Sequence, residues 1–301
     1  MSILHKLNKK SSVYLFNLPN TLTYSLFNYF YNKLITNTQN ADDEIKFFHE
    51  NGFFKPNINF KNEVIHLKSL LETCEKIDRQ SEFIYCLNTK IIDAIKIILN
   101  SNKFKNLQAK IQRYFNLKMY LIDAKITRIL PIEKEIEHKE NVYSNNYHVD
   151  YYLMNFFKIF INLHDVDESR GPMYFYSKSN SRKFIKFNNY KDRSDYNVKN
   201  EKELGLIKNT GLIGDMLVCS TPQCLHRASS PKNDNFRDML YLSFAVTSDV
   251  KNSNSNLFEY EKENYNDIWN CTSYLSKKLC KPKSFVEQIK TFNKILKDKI
   301  I

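Results

Sequence analysis

Residues 145–163 read NNYHVDYYLMNFFKIFINL, a run dense in Tyr, Phe, Ile and Val that fits a β-strand better than a helix. On a strand, residues i and i+2 point to the same face, so His148 and Asp150 can grip one ion from a single strand. Outward from this stretch the pattern repeats. MYLIDAKITRIL (119–130), MYFYS (173–177), GLIGDMLVCS (211–220) and DMLYLSFAVTS (238–248) are strand-like, with turn signals at Pro131, 165–172, Gly211 and 229–235. A β core is therefore expected over about 118–250. Before it, Asp42, Asp43 and Glu44 precede Ile45 and Phe48, and Asn51-Gly52 follows; acidic residues at the start and Gly at the stop describe a short amphipathic helix. Helical spacing over 64–100 and 104–117 makes the region 1–117 mainly helical. Residues 251–301 close with two helical segments, and 178–208 form a polar insertion with a helical piece, in the position of a lid. The order helices, strands, helices fits an α+β or mainly β domain, most economically a double-sheet jelly roll spanning 1–301.

Composition narrows the function classes. The 301 residues are 42% hydrophobic and 14% aromatic, with only 5 Gly and 7 Pro, which excludes wholesale disorder, collagen-like repeats and flexible linkers. No run is long enough to span a bilayer as a helix, and the opening residues alternate apolar with polar, so a cytoplasmic location is expected. The six cysteines contain no C-x-x-C pair and read as reduced packing residues. A net charge of +12 favours anionic partners, although residues 276–301 alone supply half of it through eight lysines against Glu287 and Asp298. The amphipathic tail there can pack on its own β domain or, less economically, touch an anionic membrane surface.

A second histidine, His226 in TPQCLHRASS, lies 76 residues beyond Asp150 on another expected strand. Two imidazole nitrogens and one carboxylate can occupy one face of an octahedron and leave the other positions open, as in non-haem Fe(II) oxygenases. Arg237 follows His226 by eleven residues, at the mouth of the next strand, where a guanidinium can pair bidentately with a carboxylate. Other histidines fit a metal less well. His138 and Glu140 sit in the charged segment EKEIEHKE; His164 and Asp165 point to opposite faces of a strand; His5, His49 and His66 have no partner at ligand spacing. Cys219 and Cys224 read as packing thiols.

With these residues in view, the chain resembles the phytanoyl-CoA dioxygenase family of Fe(II)/2-oxoglutarate oxygenases. DDEIKFFHENGFF is similar to that family's opening helix and Gly turn, YHVD to its H-x-D strand, INLHDVDESRGPMYFYSKSN to its "L-x-D-V-D-x-x-N-G-P" segment, and GDMLVCSTPQCLHRASSPKNDNFR to its G-D turn, second metal His and 2-oxoglutarate Arg. The resemblance implies a double-stranded β-helix, cupin-like, with iron held by His148, Asp150 and His226 and the distal carboxylate of 2-oxoglutarate held by Arg237. It also implies a further co-substrate contact from the strand before H-x-D, for which Lys125 and Thr127 both qualify, with Tyr151 a weaker candidate. Ala228 stands where many members carry a hydroxyl residue, with Ser229 next to it. Ser177-Lys178-Ser179-Asn180 replaces the family's P-G-S-H turn.

The expected activity is hydroxylation of a small molecule with O2, releasing succinate and CO2. The related carrier-linked halogenases replace the metal carboxylate with a small residue, so an intact Asp150 argues for hydroxylation. The nine basic residues of the 178–208 segment suggest a polar or anionic substrate, steered by charge. The alternative is a non-catalytic basic β-barrel that binds nucleic acid or another polyanion; it predicts a broken triad or a missing Arg, and no nucleic-acid motif is present.

Overall fold

A computed structural model describes residues 41–79, 81–115, 118–132, 145–150, 156–188, 190, 204–232 and 234–247. The helical segments expected in 251–301, the segment 191–203, Tyr151, His138 and Glu140 lie outside them. Helix α1 (Asp43–Asn51) starts where the sequence says: the Asp42 side chain accepts from the Ile45 amide, and Gly52 closes the helix in the left-handed region at φ 80°. Phe53–Phe54 then form β1. Helices α2 (Lys61–Leu71), α3 (Thr89–Asn100, capped by Asn88) and α4 (Asn102–Phe115) follow.

The region 64–100 departs from its helical expectation. Between α2 and α3 the chain makes an antiparallel hairpin of β2 (Lys76–Arg79) and β3 (Glu82–Tyr85), with Ile77 opposite Ile84. Its turn contains no glycine; Ser81 itself takes the left-handed conformation at φ 56°, so the usual turn signal is missing.

The remaining strands are β4 (Lys118–Ile129), β5 (Phe156–Asn162), β6 (Tyr174–Phe175), β7 (Ile207–Lys208), β8 (Met216–Cys219), β9 (His226–Arg227) and β10 (Arg237–Thr247). They form two sheets, both antiparallel. The larger has the order β1-β8-β5-β10-β4-β3-β2, and the smaller β7-β6-β9.

Strand parity divides the large sheet into two different faces. Ala124, Ile126, Ile159, Ile161, Met216, Val218, Leu240 and Leu242 join the buried residues of α1–α4 in one apolar core. From the opposite face Phe160, Leu217, Cys219 and Met239 pack with Met173, Phe175 and Cys224, closing the space between the sheets. Helix α5 (Lys178–Phe187), capped by Ser177, is the helical piece expected in the insertion. Its Phe184 and Ile185 pack on Tyr147, Val149, Tyr176 and Leu225, the apolar neighbours of the proposed metal ligands.

Candidate metal centre

His148 and His226 meet as backbone partners on adjacent antiparallel segments, each amide donating to the other's carbonyl at 2.9 Å. The pairing sets the imidazoles side by side, with ring centroids 4.3 Å apart. Two residues along, the Asp150 amide donates to the Thr221 carbonyl at 3.1 Å, holding the carboxylate on the same side as His148. Among the described residues these three form a group whose ligand atoms all lie within 4.8 Å of one another.

Both imidazoles are oriented in the same way. His148 Nδ1 lies 2.8 Å from the carbonyl of Asn146, and His226 Nδ1 lies 2.9 Å from that of Cys224. A carbonyl can only accept, so each Nδ1 carries the proton and Nε2 is left unprotonated and able to ligate. That is the tautomer a divalent ion requires, from side chains that are both nearly fully buried.

The two oxygens of Asp150 have separate surroundings. Oδ1 is 4.0 Å from His148 Nε2, whereas Oδ2 is 2.7 Å from the ammonium of Lys158 on β5. Burial alone would raise the carboxyl pKa; the opposing charge of Lys158, with smaller contributions from His226 and His148, holds it far below the usual carboxylate range. The donor set therefore fits Fe(II): two nitrogens and one anionic oxygen.

The large sheet carries the remaining candidates. Arg237 opens β10 opposite Ile129, is 1% exposed, and by strand parity shares the intersheet face with Met239 and Tyr241. Its neighbour Asp238 points the other way and pairs bidentately with Arg128, both bonds 2.8 Å, while the Asp238 amide donates to His164 Nε2 at 2.8 Å. His164 is thus the hydrogen-bonded strand-end histidine expected from its spacing.

Register separates Lys125 from Thr127. Both share the face of Arg237, but the ammonium of Lys125 is held by Glu82 at 3.1 Å. Thr127, fully buried, lies opposite Met239 and donates to the Tyr241 hydroxyl at 3.5 Å. Ser229 is buried too, but its hydroxyl is committed to the Pro172 carbonyl at 2.5 Å, a contact that fastens the turn after His226. Cys219 and Cys224 are free, buried thiols.

Sequence reasoning missed Lys158. Its signal was a single Lys in the apolar strand FFKIFIN, at the parity of Phe160 rather than of the helix-facing Phe157 and Ile159.

No protein-family model matches the chain, and no curated protein matches it. Several solved structures are similar to it. HygX from Streptomyces hygroscopicus, with nickel and 2-oxoglutarate bound, is 12% identical, with a TM-score of 0.49 over 68% of this chain and 87% of HygX. EctD from S. alaskensis, with 2-oxoglutarate and 5-hydroxyectoine, is 12% identical, with a TM-score of 0.48 over 69% of this chain and 78% of EctD. An oxidoreductase of the 2OG-Fe(II) oxygenase family from Burkholderia pseudomallei is 11% identical, with a TM-score of 0.47 over 70% of this chain and 92% of its own. These likenesses are distant, and what the chain does is read from its own side chains. Among the described residues no helix is long and apolar enough to cross a membrane.

Proposed function

We propose that the chain is an Fe(II)- and 2-oxoglutarate-dependent oxygenase, built on a double-stranded β-helix and resembling the phytanoyl-CoA dioxygenases, that hydroxylates a small polar or anionic molecule. The observation that carries this reading is the His148, Asp150 and His226 cluster, with both Nδ1 protons tied to backbone carbonyls and both Nε2 atoms in ligating form. The alternation of strands between the two sheets, with β4, β10, β5 and β8 adjacent in one and β9, β6 and β7 in the other, supports the β-helix.

His148, Asp150 and His226 hold the iron. When bound, the metal supplies the oxygen chemistry: decarboxylation of 2-oxoglutarate to succinate and CO2, coupled to transfer of an oxygen atom from O2 to the substrate. Arg237 pairs with the distal carboxylate of 2-oxoglutarate through a planar fork, and the Thr127 hydroxyl is the better-sited second contact. The closed apolar packing of Phe160, Phe175, Leu217 and Met239 keeps water from this face.

The test is succinate formation by purified protein given Fe(II), 2-oxoglutarate and O2, with a metabolite screen to find the accelerating substrate. His148→Ala, Asp150→Ala and His226→Ala should each abolish it without unfolding the protein, and Arg237→Lys should raise the KM for 2-oxoglutarate. Full iron-dependent turnover in His148→Ala would refute the site, and an unchanged 2-oxoglutarate affinity in Arg237→Ala would refute the role of that arginine.

A further inference from the structure

Lys158 is the one charged residue of strand β5, where Phe156, Phe157, Ile159, Phe160 and Ile161 are all buried around it and the only other polar side chain is the terminal Asn162. A lysine here loses hydration that only a nearby anion can replace. The nearest such anion is Asp150, with Asp123 adding a weaker attraction. The ammonium lies 2.7 Å from Oδ2, while Oδ1 of the same carboxylate faces His148 Nε2 at 4.0 Å. The register fixes where the cation sits, because Lys158 pairs with Ser243 on one side and Cys219 on the other, and Ser243 pairs with Asp123 beyond it. Arg237 is six residues away along β10, about 20 Å at the rise of a strand, so the two cations stand at opposite ends of the intersheet face.

Building on the iron-site reading, we propose that Lys158 is a positioning residue that reserves Oδ2 of Asp150 and so limits the carboxylate to one bond with the metal. Counting positions gives the reason. An octahedral ion held by two imidazoles and one carboxylate oxygen keeps three positions; 2-oxoglutarate needs two and O2 needs one. If the carboxylate bound through both oxygens, one of those positions would be lost. Among the described residues the other groups that act on the Asp150 carboxylate are the two imidazoles, which face the ion themselves, so Lys158 is the group placed to hold Oδ2 back. Lys158 touches neither co-substrate nor reacting atoms in this role; it acts through Asp150, as outer partners of metal ligands do.

Co(II) is the probe. Wild-type protein should bind one Co(II) per chain, and His148→Ala should not; a wild type that takes up no Co(II) would overturn the iron site itself. Lys158→Met should still bind Co(II), but with a changed d–d spectrum and an affinity of the Co(II) form for 2-oxoglutarate weakened about tenfold. Lys158→Gln, which keeps an N–H donor beside Oδ2, should restore the wild-type spectrum. If Lys158→Met binds Co(II) with the wild-type spectrum and wild-type 2-oxoglutarate affinity, the positioning role is wrong while the metal site stands. A measurement on unmutated protein guards against a variant that fails to fold. In the infrared spectrum of metal-loaded wild type carrying carbon-13-labelled aspartate, the antisymmetric and symmetric carboxylate stretches of Asp150 should show the wide separation of one-oxygen coordination. A narrow, two-oxygen separation there overturns the proposal regardless of how the variants behave.

Discussion

Lys178 shows what burial does to one charged group outside the metal cluster. It begins α5, its ammonium donates to the His49 carbonyl at 3.4 Å, and loss of hydration, aided by Arg182, pulls its pKa down to about 8. An unfolded lysine titrates near 10.4, so between about pH 8 and 10 the unfolded chain holds a proton that the folded chain has shed. Stability should therefore rise with pH across that window. Urea denaturation at a series of pH values should show this rise in the wild type, and Lys178→Met should flatten it and be the more stable of the two at pH 7. At this scale the sequence was legible where chemistry prescribes spacing: the clustering of His148 and Asp150 at i and i+2 with the second histidine, and the place of Arg237 at the strand mouth. It was silent on Lys158, because a lone lysine in an apolar strand reads equally well as a surface residue until the register shows which face it occupies. Lys125 and Thr127 were inseparable for the same reason; only Glu82, arriving on a hairpin the sequence hid, removes the first of them.

Helix α1 is fixed at one end by a single aspartate with two tasks. Asp42 caps the Ile45 amide and lies 2.9 Å from Lys110 of α4, which also holds Glu44 at 2.8 Å. Burial works against the Asp42 carboxylate, but Lys110 and the capped amide outweigh it and its pKa is lowered. A lowered carboxylate pKa contributes stability that is present above the unfolded value near 3.9 and fades as the pH falls through the folded one. Asp42→Ala should cost about 1 kcal/mol at neutral pH, most of it the lost cap. Chemical denaturation should show the gap between mutant and wild type closing below about pH 4. This helix was readable because its cap, its acidic first turn and Gly52 all agree. The β2–β3 hairpin was not, since Ser81 fills a position where glycine would have announced the turn, and its strands are only four residues each. The insertion lay between these cases: α5 exists, but its Phe184 and Ile185 are buried, so its first ten residues are packed structure more than a solvated flap.

For the molecule as a whole, iron at the proposed site would be a staple. Its ligands come from the small sheet and the segment leading into the large one, so an ion that binds only the folded chain stabilises the entire assembly by mass action. At a hundredfold excess over Kd this amounts to about 2.7 kcal/mol, which for a domain of this size raises Tm by roughly 4 °C. Anaerobic thermal melts with and without Fe(II) should show that increment, and His148→Ala should show none. A wild type whose melting temperature ignores the metal would argue against a site formed in the folded state. The two-sheet plan was legible from the run of strands and its turns. The charge of +12 favoured anionic partners without saying which lysines are available to them: Lys208 is tied to Glu168 and Lys125 to Glu82, and such local pairings leave no trace in a sum over the chain.

The backbone pairing of His148 with His226 also has a bearing on time. These partners are 78 residues apart in the chain, and contacts of such long separation form late, after much chain entropy has been lost. The ligating pocket therefore exists only once the segments carrying His148 and His226 have been brought together, and it is lost when they part. Metal added to refolding protein should leave the refolding rate unchanged, while the loaded protein unfolds far more slowly. Iron would thus act as a lock on a finished molecule, fitted after assembly and never a template for it.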